Sequence, residues 1–476
     1  TPIQKTFNYV TLGFLVFWIL MLIPKKDNRK FFAIAFIFLI FGFFRFYRLD
    51  ERIGFGWDQE RDAEAVREIL SGNLTLIGPR VVGPSGFYLP PYFFYLLAPF
   101  YALTKLHPVA TIYFLVFVNS VFFISSYLIL KKIFDVKVAL IALLVWAVNP
   151  FALSMDTIAW NPVVIPLFSF VLFYFLWKYY QTKKMLFVFL SSLVFGFGIS
   201  FHFQFIMYAP IFLPILGRPI KKLALMFLGA AIPFISILLF DLRHNFLNLK
   251  LLTDFGSTKA GSVGLAFLPV IERVGILMSG ISGSALFGGL VIVAIGTLLV
   301  YISWKEKEKM WYGFTLVWVL SPVLFSFFKD RPSEYYFNYL LPIAVIVIGY
   351  LLSKLKKVWL YIALATVTIL LGTKSLERVG GTDNYGVLAK DRAVSTLKSL
   401  TKTSSPFYIS FNVPLNEDAG YRYLLKLYGF DYPGDPKNTL IEFVVPPEAA
   451  PNAFSVGRIG LNFSEELKTQ IWLKFK

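Results

Sequence analysis

The chain has 476 residues, 57% hydrophobic and 18% aromatic, with a mean hydropathy of +0.66, well above the usage of a water-soluble domain. Its formal charge of +18 raises nucleic acid as a partner, but the basic residues gather in short clusters between hydrophobic runs, the pattern of cytoplasmic membrane loops, so no nucleic-acid partner is expected. With no cysteine, a disulfide framework and a thiolate metal site are excluded.

Hydrophobic runs of roughly 15 to 23 residues recur, close to the ~20 that carry a helix across the hydrocarbon core. Stretches such as 31–44 and 358–371 lack the alternation of a barrel strand. Spans are predicted near 8–23, 31–47, 109–130, 136–154, 162–179, 185–200, 205–217, 223–240, 284–303, 310–328, 336–353 and 358–372, about twelve in all. The first reads as a retained helix, because Lys25 and Lys26 follow it without a small-residue cleavage motif.

Basic clusters fall at alternate turns: Lys25/Lys26/Arg29/Lys30, Lys131/Lys132/Lys137, Lys178/Lys183/Lys184, Arg218/Lys221/Lys222, Lys305/Lys307/Lys309 and Lys354/Lys356/Lys357. The short turns near 151–161 and 201–204 contain no Lys or Arg, so the positive-inside bias assigns the clusters to the cytoplasm. A first loop at 48–108, a middle loop at about 241–283 and a tail from 373 are then extra-cytoplasmic. The expected architecture is an all-α polytopic membrane domain, 1–372, followed by a small extra-cytoplasmic α/β domain, 373–476. In the tail, helices are predicted at 391–403 and 417–428 and strands at 406–413 and 440–445.

The first loop concentrates charge. After Gly54-Phe55-Gly56-Trp57 comes Asp58-Gln59-Glu60-Arg61-Asp62-Ala63-Glu64, and Ala63, Val66 and Ile69 recur at helical spacing. An amphipathic helix is predicted, with Asp58 near its start and Gly72-Asn73 ending it. Spacing alone reads Asp58 equally as a helix cap or as a residue of chemistry. Farther on, Pro90-Pro91-Tyr92 opens an aromatic run, 93–100, too short to span and suited to the interface.

The Asp58–Glu64 segment followed by Pro90-Pro91-Tyr92 and Tyr95 resembles the GT-C membrane glycosyltransferases, in the branch of protein O-mannosyltransferases and lipid A aminoarabinose transferases. That branch carries an Asp-Glu-x-Arg-Tyr-Ala-Glu-like motif in its first outer loop. Asp58, Gln59, Arg61, Ala63 and Glu64 fall on the motif. Gln59 stands where the family often has a second acid, and Leu89 where some members have a phosphate-contacting Lys.

The resemblance implies a GT-C fold and transfer of a hexose or pentose from a polyprenyl-phosphate donor to a protein, lipid or glycan hydroxyl, with inversion, at the outer face of a prokaryotic plasma membrane. Asp58 falls on the family's catalytic Asp, with Arg61 and Glu60 beside it. Candidate substrate-binding residues are Glu64, Arg80, Tyr88, His202, Gln204, Asp241, Arg243, His244, Arg331, Glu334 and Tyr335. Several have a plainer reading: Arg243 and Arg331 serve equally as interfacial anchors of helix ends. A transporter or flippase of lipid-linked sugars is the alternative function; its ionisable residues belong at mid-membrane, whereas these acids gather in an outer loop.

No metal site is expected, since zinc needs three or four ligands and no His-x-x-x-His pair is present. A carboxylate-held divalent cation has no ligand set in the sequence to support it. No phosphate-cradling Gly-rich loop lies between a strand and a helix, so no nucleotide cofactor is expected.

Overall fold

The computed structural model describes residues 28–81, 86–216, 220–259, 267–279, 285–327, 332–381, 386–401, 406–414, 417–450, 452–465 and 467–469. The protein is a polytopic bundle of helices with a small C-terminal sheet. The predicted span 8–23, Arg218 and the Lys329–Arg331 stretch lie outside the described residues.

Among the described residues, six helices are long and apolar enough to cross a membrane: Ala110–Ile133, Asn161–Thr182, Ile220–Arg243, Leu286–Glu306, Glu334–Ser353 and Lys357–Gly380. A seventh candidate is the pair Val136–Val148 and Pro150–Asp156, bent by 75°. The predicted span 136–154 is therefore broken. Pro150 has no N–H to continue the helix and biases Asn149 to an extended backbone (φ −76°, ψ 120°), while the Asn149 carboxamide oxygen accepts from Ala152 N at 2.8 Å and restarts it. Shorter apolar helices cover Phe31–Phe46, Tyr92–Leu103, Met185–Phe201 and Phe203–Ile215; the last, with Pro210 and Pro214 inside it, is wound as a 3-10 helix.

Small residues let backbones approach. A side chain at Gly196 would stand 2.3 Å from Ala230 O, which fixes how closely Met185–Phe201 lies on Ile220–Ala231. The break after Val148 is held by a buried ion pair. Arg45, fully buried, donates to Asp156 Oδ2 from Nε (2.9 Å) and Nη2 (2.8 Å), and to the carbonyls of Ala147 (2.6 Å) and Trp146 (3.1 Å) at the helix end. Trp146 Nε1 adds a third donor to Asp156 Oδ2 at 3.0 Å.

The middle loop is itself largely helical, with Leu247–Lys259 and Phe267–Ser279. The last long helix runs to Gly380, eight residues beyond the predicted end of its span at 372. Beyond it a four-stranded sheet of β1 (Phe407–Asn412), β2 (Thr439–Val444), β3 (Phe454–Val456) and β4 (Ile459–Phe463) has the order β1-β2-β4-β3, with β1 and β2 parallel and the other pairs antiparallel. Helices Val387–Thr401 and Tyr421–Leu427 accompany it, around a hydrophobic core distinct from that of the bundle.

Candidate active site

The first loop forms the helix Trp57–Leu70, and its residues divide among three faces. Asp58, Arg61, Ala65 and Glu68, spaced three or four apart, line a cavity of about 1090 Å³. Gln59, Ala63, Val66 and Ile69 are buried. Trp57, Glu60, Glu64 and Arg67 meet the C-terminal unit: the Tyr423 amide donates to Glu60 Oε1 (2.8 Å), Lys426 Nζ pairs with Glu64 (3.3 Å), Arg67 lies over the Tyr423 ring (4.3 Å) and Arg422 over Trp57 (5.2 Å).

The cap is Gly56, not Asp58. Gln59 Oε1 accepts from Gly56 N at 3.0 Å, and Gln59 Nε2 donates to Ala159 O at 3.2 Å. One amide thus serves the donor and the acceptor, which a second acid could not do. Asp58 is released from capping. Its Oδ1 accepts from Arg61 Nη1 at 2.7 Å, its side chain is 47% exposed, and Oδ2 makes no hydrogen bond among the described residues.

Arg61 also grips Asp62 Oδ1 from Nε (2.8 Å) and Nη2 (2.6 Å). Asp62 is 1% exposed and its Oδ2 has no hydrogen-bond partner among the described residues. Burial lifts the Asp62 carboxyl to about 7, against the pull of Arg61 and helped by the charge of Asp58.

Across the cavity, backbone pairing of Gly78 N with Leu89 O (2.6 Å) and Val81 N with Phe87 O (2.9 Å) sets Arg80 opposite Tyr88. The Arg80 guanidinium lies 4.8 Å from the Tyr88 ring centroid, with Nε on Gly86 O at 3.1 Å. Both residues line the cavity. Asp241 does not line it. It receives Asn248 N (2.6 Å) and Leu249 N (3.1 Å), and Asn248 in turn holds Tyr88 N (2.6 Å) and Tyr88 O (3.2 Å). Asp241 thus fixes Tyr88 from behind.

An aromatic wall closes the cavity. Trp160 and Tyr335 meet at 4.7 Å between centroids, and His202 lies 5.9 Å from Tyr335 and 5.8 Å from Tyr336. Desolvation pushes His202 down to about 3, so its imidazole is neutral. Gln204, also in the wall, donates from its amide nitrogen to the carbonyls of Tyr335 (2.9 Å) and Tyr336 (3.1 Å).

The structure therefore gathers Asp58, Arg61, Arg80, Tyr88, His202, Gln204 and Tyr335 around one cavity. Glu60 and Glu64 face the C-terminal unit instead. Glu334 pairs with Arg273 at 3.5 Å, His244 stacks on Phe240 at 4.1 Å, and Arg243 is exposed outside the lining. Arg331 lies outside the described residues. Sequence reading missed Trp160, whose place in an outer turn before Asn161-Pro162 was the available signal, and Asn248, which carried none.

No protein-family model and no curated protein matches this chain in sequence. Solved structures do match in three dimensions. ArnT from Cupriavidus metallidurans bound to undecaprenyl phosphate superposes with a TM-score of 0.61 at 12% identity, over 92% of this chain and 99% of that one. The oligosaccharyltransferase of Archaeoglobus fulgidus in the apo form gives 0.53 at 11% identity, over 85% of this chain and 64% of its own. The archaeal AglB from the same organism, in complex with an inhibitory peptide and a dolichol-phosphate, gives 0.51 at 11% identity, over 84% and 60%. At such identities the likeness is one of fold: the chain has the GT-C architecture of polytopic membrane glycosyltransferases.

Proposed function

We propose that this GT-C protein transfers a sugar from a polyprenyl-phosphate donor to an acceptor hydroxyl at the outer face of the membrane. The observation that carries the reading is the Asp58 carboxylate on the cavity wall, one oxygen on Arg61 and the other free of hydrogen bonds among the described residues. The neighbours supply the donor class, since one is bound to undecaprenyl phosphate and another to a dolichol-phosphate.

In this mechanism Asp58 takes the acceptor proton as the acceptor oxygen attacks the anomeric carbon. The bond from that carbon to the phosphate oxygen breaks, its electron pair leaves on the polyprenyl phosphate, and single displacement inverts the centre. Phosphate is a competent leaving group, so no second carboxyl is needed as an acid. Arg61 pairs with the Asp58 carboxylate and aims it. Arg80 has no carboxylate partner among the described residues and presents a guanidinium to the cavity, which suits paired contact with phosphate oxygens. The aromatic wall of Trp160, Tyr335 and Tyr336 offers ring faces to a sugar.

The test is transfer of radiolabel from undecaprenyl- and dolichyl-phosphate sugars, hexose and pentose, into membrane protein, lipid or glycan by the purified chain in vesicles. Label transferred by wild type and not by Asp58→Asn supports the reading; no transfer from any such donor refutes it.

A further inference from the structure

We propose that the C-terminal α/β unit is a positioning clamp for the Trp57–Leu70 helix, acting through Lys390 and through the hydrogen bond between the Tyr423 amide and Glu60. The inference rests on Asp58 being the base. None of the described residues beyond Tyr336 lines the cavity, so the unit reaches the chemistry through what it holds.

It holds the backbone on both sides of Asp58. Three residues before it, Phe55 O accepts from Lys390 Nζ at 3.0 Å, and the same ammonium reaches Ala419 O at 2.5 Å. Lys390 is 2% exposed, and a buried ammonium is costly unless its protons are satisfied. Here they tie two distant chain segments together. Val387 N donates to Ile53 O at 3.0 Å, and Gly54 and Gly386 face each other as an antiparallel bridge. The approach is tight: at Gly420, with φ +89°, a Cβ would stand 2.3 Å from Phe55 O.

Two residues after Asp58, Glu60 acts across the interface. Helix Tyr421–Leu427 starts at Gly420, which has no side chain to cap it. Glu60 Oε1 accepts the Tyr423 N–H left open by that start. Glu60 is 7% exposed and spends its carboxylate on this amide, which makes it a positioning residue. A displacement of ~1 Å at a reacting group costs about a hundredfold in rate, so loosening either grip should act on turnover.

The experiment uses the full chain and the polyprenyl-phosphate sugar that wild type turns over. Lys390→Met should lower kcat about a hundredfold, with donor KM within about twofold, and should also lower the melting temperature, because Phe55 O and Ala419 O lose a donor. The chain has no cysteine, so a Gly54→Cys/Gly386→Cys pair can be oxidised without competition, and antiparallel partners lie within disulfide reach. In the Lys390→Met background oxidation should restore most of kcat and reduction should remove it. Wild-type kcat in Lys390→Met, or a loss that oxidation leaves untouched, overturns the clamp.

If Lys390→Met fails to fold, Glu60 decides. Glu60→Gln keeps an oxygen for Tyr423 N and should lose far less kcat than Glu60→Leu; equal loss in both would assign Glu60 to the chemistry and overturn the clamp. Asp58→Asn run alongside separates the two ideas. Activity in Asp58→Asn refutes Asp58 as the base, whereas an inactive Asp58→Asn beside a wild-type Lys390→Met refutes the clamp alone.

Discussion

Arg61 and Asp58 meet at 2.7 Å across one turn of the same helix, and the far side of the Arg61 guanidinium is occupied by Asp62 at 2.6 Å. One cation is thus shared between an acid that opens onto the cavity and an acid that is buried. The buried acid fixes the guanidinium, and the guanidinium aims the exposed one.

Asp62 gives a pH dependence with a definite sign. Its carboxyl stands at about 7 in the fold against 3.8 in its absence. Between these values the unfolded chain has lost the proton and the folded chain keeps it, so stability from this group falls as pH rises from about 4 to about 7 and is level above. The melting-temperature difference between Asp62→Asn and wild type should therefore be more positive at pH 8 than at pH 5. A difference independent of pH would contradict this assignment.

Arg80 should govern donor use. Arg80→Ala is expected to raise donor KM at least tenfold, with Arg80→Lys intermediate, because a lysine retains charge but not the paired geometry. Arg243, exposed and outside the cavity lining, should show a smaller effect as Arg243→Ala. Donor kinetics measured on all three variants check the order; a larger effect at Arg243 would move the phosphate contact to the Asp241–His244 end.

The Arg45–Asp156 pair should matter for stability and not for donor affinity. Removing one partner of a buried pair costs about 3–5 kcal/mol. Arg45→Leu also takes one donor from Ala147 O and one from Trp146 O, which keeps Asn149 N, so it should melt below Asp156→Asn, which keeps an oxygen for Trp146 Nε1. Thermal melting monitored by size-exclusion chromatography in detergent gives the order.

Chelation should leave transfer intact. Among the described residues, the carboxylates on the cavity wall are Asp58, engaged by Arg61, and Glu68, engaged by Asn73 at 2.8 Å, a set poorer than the six to eight oxygens of a calcium site. Activity lost with EDTA and restored by manganese or magnesium would require a different centre.

Much of this was legible in the residues. The Ala63–Val66–Ile69 spacing marks the buried face of the loop helix, Gly72 stops it, and Pro91 opens the Tyr92–Leu103 helix, because these signals are local. What the other faces meet is not local. Glu60 and Asp58 are two acids in one turn, and only the Tyr423 amide, which comes from 363 positions away, separates their roles. Asn248 reaches Tyr88 across 160 positions and looks like any loop asparagine. The three residues of β3 are too few for alternation to register. The bend after Val148 was written in Asn149-Pro150, yet the unbroken apolar composition on both sides outweighed it.

The central claim is that the Asp58 carboxylate takes the acceptor proton. Single-turnover transfer of radiolabelled sugar from its polyprenyl-phosphate carrier, on wild type and Asp58→Asn of matched melting temperature and donor affinity, measures it directly. Asn preserves the shape of the side chain, and Gly56 rather than Asp58 caps the helix, so the fold should be unaffected. Loss of a general base costs ~10²–10⁴ in rate, and Asp58→Asn should fall at least a hundredfold. Transfer at the wild-type rate from Asp58→Asn would contradict the account.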